Sequence, residues 1–193
     1  MVNPFFKNHG PFKFSELISL VNSNETKIEI DKEITNINDL VSAKEGEITF
    51  FHSKKYKNIA KKTKASFCLT TELLKNELPK SCLAVVVDNV LVSISKITSL
   101  FYPQSINDDF DKTAKVIENT NLKNKVIFGT NVLIGENVSI GNNCKIGHNT
   151  IIEKNVIIGD DCSIGSNTVI RNTIIKNNVK ILDNCVIGKH GFG

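Results

Sequence analysis

Four histidines, His9, His52, His148 and His190, are the side chains of this sequence that could move a proton near neutral pH. A zinc site would require three imidazoles converging on one point, and neither His9 nor His52 has a partner at ligand spacing, so no metal is expected. The five cysteines, Cys68, Cys82, Cys144, Cys162 and Cys185, are odd in number and contain no CxxC pair, which points to reduced thiols. Lys54, Lys55, Lys57, Lys61, Lys62 and Lys64 crowd into eleven residues. Such a run is either a solvated helical face or a surface that attracts phosphate or an acidic partner. No zinc-finger, helix-turn-helix or RNP-type pattern accompanies the lysines, so nucleic acid is not an expected partner.

These groups need a scaffold. The 193 residues, 40% of them hydrophobic, suffice for one compact domain or two small ones. The longest apolar runs, Leu83 to Val87 and Val90 to Val92, are far short of the roughly 20 residues that cross a bilayer, and Met1 to Gly10 lacks an apolar signal core. A cytoplasmic protein without a transmembrane segment is expected. The first hundred residues have a mixed α/β pattern. Phe14, Leu17, Ile18 and Val21 have helical spacing within Phe12 to Asn22, and Glu47 to Phe51, Ser66 to Thr70 and Cys82 to Val87 are β-rich. Helices are expected over Lys54 to Thr63, Thr71 to Leu78 and Ser93 to Tyr102, the last stopped by Pro103. The polar stretch around Ser105 to Thr120 looks like a connection.

Beyond it the sequence repeats. An apolar anchor recurs every six residues at Phe128, Ile134, Ile140, Ile146, Ile152, Ile158, Ile164 and Ile170, then resumes one residue early at Ile175, Ile181 and Ile187. Two positions before each anchor stands a small or β-branched residue. Gly follows the anchor at 129, 135, 141, 147, 159, 165 and 188, and three positions after it come Asn131, Asn137, Asn143, Asn149, Asn155, Asp161, Asn167, Asn178 and Asn184. Three such turns make one triangular coil, with residues eighteen apart stacked at about 4.8 Å. Gly and Asn are read as the corner residues that tolerate positive φ. Cys144 and Cys162, eighteen apart, should stack inside as packing residues, and the coil should distort near Arg171 to Ile175, where a turn is short.

Several blocks join this repeat: an opening element ending in Gly10-Pro11, GEITFFHSKKY at Gly46 to Tyr56, TKASFCL at Thr63 to Leu69, FYP at Phe101 to Pro103 and GKHGFG at Gly188 to Gly193. Together they resemble the UDP-3-O-acylglucosamine N-acyltransferase family of lipid A and lipopolysaccharide synthesis, over nearly the whole chain. The resemblance implies an α/β uridine-nucleotide-binding domain at 1–104, a connection at 105–125, and a left-handed parallel β-helix of hexapeptide repeats at 126–193. It implies a homotrimer and a reaction without a cofactor. The 2-amino group of UDP-3-O-acylglucosamine attacks the thioester of an acyl carrier protein, and a histidine acts as general base. In the family that histidine lies past the GFG, as does a helical part that docks the carrier protein, so the chain is expected to be a truncated, inactive N-terminal fragment.

By the same resemblance Phe50, Ser53 and Tyr56 stand where the family forms its uracil pocket, two rings sandwiching a flat base and a polar side chain reading its edge. Asn is common in the family at the place of Ser53, and one hydroxyl cannot present an amide's paired donor and acceptor. Nearby lysines such as Lys55 or Lys64 are expected to attract the diphosphate. His190, Gly191 and Phe192 are candidates to line the substrate groove. His148, in KIGHN, locally matches the pattern of the catalytic histidine but precedes the GFG, and surface or subunit packing is its plainer role. Two rival readings are open, another hexapeptide-repeat sugar O-acyltransferase and a non-catalytic β-helix assembly module.

Overall fold

The computed structural model describes residues 3–21, 32–106, 109–117 and 125–189. The chain divides into two compact units, Phe6–Asn107 and Asp108–Gly193, the latter grouped with Met1–Phe5.

In the first unit a short strand, β1 (Phe12–Lys13), leads directly into helix α1 (Phe14–Val21), whose residues Phe14, Leu17, Ile18 and Val21 form the buried stripe that helical spacing requires. β1 pairs antiparallel with β2 (Glu33–Ile34). Strands β3 (Asn36–Ile37), β4 (Glu47–Phe51), β5 (Phe67–Thr70) and β6 (Leu83–Val86) form a parallel sheet in that order. Both of its faces are covered, which is why its central strands read as nearly continuous apolar runs. Ile48, Phe67, Leu69 and Val85 face one cluster with α1 and a later helix. Phe51, Cys68 and Cys82 face another with Ala43, Ala60, Ala65 and Leu74. The neighbouring Cys82 thiol and burial push Cys68 well above the usual thiol range, so it stays protonated.

The connections depart from expectation in one place. A 3-10 turn at Lys54–Tyr56 runs into helix α2 (Lys57–Ala60), but Thr71 to Leu78 forms only turns and a 3-10 segment, Lys75–Glu77. Thr71 O accepts the N–H groups of both Leu74 and Lys75, Glu77 takes ion pairs from Lys57 and Lys61 at 2.6 and 3.6 Å, and Pro79 stops any continuation. Helix α3 (Val90–Phe101) begins where the Asn89 side chain accepts the Val92 N–H at 3.1 Å and stops before Pro103. Phe101 is fully buried and meets Phe12 edge-on at 5.0 Å. A Cβ on Gly10, which precedes a cis Pro11, would stand 2.6 Å from the Phe101 ring, so the Gly10-Pro11 and FYP blocks pack together.

The second unit is a parallel β-helix. Each anchor ends a two-residue strand, and the strands stack on three faces, in orders 139–157–174, 127–145–163–180 and 133–151–169–186 by first residue. Ile146, Ile152, Ile158, Ile164, Ile170 and Ile175 are buried, and the remaining anchors are partly buried against the same core. Cys144 and Cys162 are buried, with their thiols 3.1 Å from the carbonyls of Gly159 and Lys176. Thr150 and Thr168 play the same part at the neighbouring face. The small interior residues are thus hydrogen-bond donors to corner carbonyls as well as packing groups.

The corners correct one expectation. Positive φ, from 49° to 62°, belongs to the nine asparagines at 131, 137, 143, 149, 155, 167, 172, 178 and 184, to Asp161 and to Lys125, while among the hexapeptide glycines only Gly188 shows it. The other glycines are there for space. A Cβ on Gly129 would lie 2.6 Å from the His148 nitrogen, and one on Gly147 2.6 Å from the Gly165 carbonyl carbon, because successive coils pass at backbone contact. The asparagines also bond in ladders, Asn131 to Asn149 at 3.0 Å and Asn149 to Asn167 at 3.2 Å. At the short turn Asn172 takes over the corner, and pairing shifts from 18 to 17 residues, Ile157 with Ile174. The distortion is small: the Ile157 N–Thr173 O bond is 3.3 Å, against 2.9 Å for Ser163 N–Val179 O.

A second ladder runs along the outside. The corner N–H of Asn142 is accepted by Asp160 at 2.7 Å and that of Asp160 by Asn177 at 3.0 Å. On the edge where the sequence offers Lys154, which has no acceptor, the caps come from the segment expected to be a plain connection. Asp111 accepts Lys154 N–H at 2.6 Å and Thr113 accepts Glu136 N–H at 2.9 Å. The same segment adds the strand Lys115–Val116 antiparallel to Leu133–Ile134. Burial works to raise the Asp111 carboxyl, but hydrogen bonds from the Thr113 hydroxyl and N–H and from the Lys154 N–H hold it below the usual carboxylate range.

Candidate functional site

Strand β4 delivers Phe50 to the carboxyl end of the parallel sheet, the side on which open α/β sheets bind ligands. Phe50 is half-buried, its ring packed on the core, and His52, two residues on along an extended segment, presents its ring to the same side. Their rings lie 5.9 Å apart and nearly parallel, 20° between planes. Ser53 then caps the 3-10 turn, its hydroxyl oxygen accepting the Lys55 N–H at 3.4 Å, and the turn carries Tyr56 to within 5.8 Å of His52. Tyr56 is 37% exposed, and the Lys55 ammonium stands 5.9 Å over its ring. The result is a row of three rings with a cation at its outer end, and a hydroxyl that still has its proton to donate. Such a row can stack a flat heterocycle and hold a negative charge beside it.

His52 is the member that sequence reasoning missed. Its signal is that residues two apart at a strand's end share a face. Lys64, expected beside Lys55, is elsewhere: it precedes β5 at the amino end of the sheet, about 15 Å away for a strand of this length. The lysine run is therefore divided, with Lys57 and Lys61 engaged by Glu77 and holding its carboxyl below the usual range.

His148 sits exposed on the β-helix in the outer ladder of caps. Its Nδ1 accepts the backbone N–H of Thr130 at 2.8 Å, and its own N–H donates to the Ser166 hydroxyl at 3.1 Å. A backbone amide can only donate, so Nδ1 carries the lone pair and the proton of the neutral ring is on Nε2. Nε2 then has no lone pair for a substrate proton, and the ring serves as a corner cap. His148→Ala should cost about 1 kcal/mol of stability, the typical worth of one such bond, while His148→Asn, whose amide oxygen can replace Nδ1, should cost less than half of that. Urea titration of the two variants checks this. His190, Gly191 and Phe192 lie outside the described residues. Among the described residues no three His, Cys, Asp or Glu side chains form a metal-binding cluster, and no helix is long and apolar enough to cross a membrane.

Residues 31–100, which contain the whole ring row, match the family described as UDP-3-O-(3-hydroxymyristoyl) glucosamine N-acyltransferase, LpxD. Residues 137–172 match the bacterial transferase hexapeptide repeat. Proteins named UDP-3-O-acylglucosamine N-acyltransferase are similar to the chain. That of Ruthia magnifica is 37% identical over 105 residues, covering 53% of this chain and 30% of the relative. That of Helicobacter pylori is 31% identical over 129 residues, covering 64% and 37%. That of Rickettsia prowazekii is 30% identical over 100 residues, covering 51% and 29%. The chain thus spans about a third of the length of the curated relatives it matches. The LpxD match falls on the first compact unit and the hexapeptide match on the second.

Proposed function

We propose that the chain supplies the uridine-recognising domain and part of the β-helical scaffold of an N-acyltransferase acting on UDP-3-O-acylglucosamine. In the reaction the sugar's 2-amino nitrogen attacks the thioester carbonyl of a 3-hydroxyacyl carrier protein, the C–S bond breaks, the thiol leaves, and the nitrogen loses a proton to a general base. The enzyme works as a cytoplasmic homotrimer and needs no cofactor. The observation that carries the reading is the row Phe50, His52 and Tyr56 with Ser53, set at the carboxyl end of β4 inside the family-matched stretch. In this role the rings stack uracil, the Ser53 hydroxyl donates to a base oxygen, and Lys55 faces the diphosphate. The general base is a residue other than His148, whose acceptor nitrogen is taken. A sugar O-acyltransferase or an assembly module would account for the hexapeptide coils but not for the match over residues 31–100.

Titration of UDP into the wild type and a Phe50→Ala, Tyr56→Ala double variant tests the site. Aromatic stacking on a base is worth about 1–3 kcal/mol, so the double variant should bind UDP at least tenfold more weakly with an unchanged circular dichroism spectrum. CDP should bind the wild type less well than UDP. Equal UDP affinity in both proteins would exclude a base-stacking site.

A further inference from the structure

Lys44, Lys64 and Lys80 each stand three residues ahead of a strand, before β4, β5 and β6. These strands are parallel, and Ile48, Phe67 and Leu83 are cross-strand neighbours, so the three lysines form a row across the amino end of the sheet. At the usual strand spacing their backbones fall within about 10 Å. Lys32 joins them at the rim of one groove of about 670 Å³, a volume suited to a small ligand. All four are exposed, and none is ion-paired with a carboxylate among the described residues. Among the described residues Glu45 is the one acidic side chain lining the groove. Its floor is built rather than incidental: Phe67 and Cys82 are buried, and Ser66, whose oxygen accepts the Gly46 N–H at 2.8 Å, retains a hydroxyl proton to donate.

Four ammonium groups gathered around one cavity repel one another, and a multivalent anion relieves that repulsion at every one of them. We propose that this groove binds a small polyphosphate anion, of the di- or triphosphate class, at a site separate from the ring row. The lysines bind the phosphate oxygens and Ser66 donates from the floor. The site does not depend on the uridine reading.

Inorganic tripolyphosphate is the probe, titrated calorimetrically into the full 193-residue chain at low and at physiological salt. A Lys64→Ala, Lys80→Ala variant should bind at least tenfold more weakly and with a shallower dependence on salt. A Lys54→Ala, Lys62→Ala variant removes the same charge from exposed positions outside the groove and should stay within twofold of the wild type. The Phe50→Ala, Tyr56→Ala variant should also bind tripolyphosphate as the wild type does. No binding to the wild type, or equal loss in both lysine variants, would overturn the groove. Loss confined to the ring variant would place the phosphates at the ring row, ending this proposal while leaving the uridine site standing.

Discussion

Gly147→Ala is expected to destabilise the β-helix by about 3 kcal/mol, at the upper end of what overpacking costs. The added methyl would lie 2.6 Å from the Gly165 carbonyl carbon and 2.8 Å from the Ser166 Cα, and these are backbone atoms that no rotamer can move aside. Relief requires the two coils to separate, which stretches the Gly147 N–Ile164 O bond of 2.8 Å and its neighbours on that face. The informative control is two residues away. Asn149 has φ of 54°, so Asn149→Gly keeps a comfortable backbone and loses only its ladder bonds, at about 1 kcal/mol. Urea midpoints of the two variants should differ clearly, Gly147→Ala falling furthest. If the two fell equally, close passage of the coils would not be the reason for glycine at 147.

Ile152→Ala should cost about 4 kcal/mol. Ile152 is fully buried and paired in register with Ile134 on one side and Ile170 on the other, so deletion of its side chain leaves a hole bounded by coils that cannot close in without breaking their ladders. Large-to-small changes at such rigid sites fall high in the 2–5 kcal/mol range. Ile187→Ala, at a half-buried anchor with one described neighbour, Ile170, should cost less than half as much. Thermal unfolding followed by circular dichroism checks the order, and equal losses at 152 and 187 would contradict a continuous interior.

The β-helix was readable because its interactions are periodic: an anchor every six residues announces its own neighbours eighteen residues away. Helix α1 and strand β4 were readable for a similar reason, since burial on one or both faces leaves its mark on local spacing. Glycine and asparagine were harder to separate. Both suit turns, and only the passage of the next coil shows that Gly147 answers to crowding and Asn149 to backbone dihedral. What escaped the sequence depends on distant partners. Lys115–Val116 is an ordinary polar stretch until it meets Leu133–Ile134, and Asp111 has no visible task until Lys154 leaves a corner N–H without an acceptor. At the candidate site Phe50, Ser53 and Tyr56 were legible through their motif, whereas His52 needed the strand geometry. The lysine row needed the alignment of three strand starts that lie far apart in sequence.

The five-residue turn at Arg171 to Ile175 bears on how such a scaffold can change length. In a flat sheet, loss of one residue inside a strand turns every later side chain to the opposite face. Here the missing residue is taken from a corner, so Ile174–Ile175 still pairs with Ile157–Ile158 and the later strands stay in phase. The corners act as expansion joints, and a lineage carrying this coil could gain or lose residues there, or graft whole loops, without rewriting the core on either side.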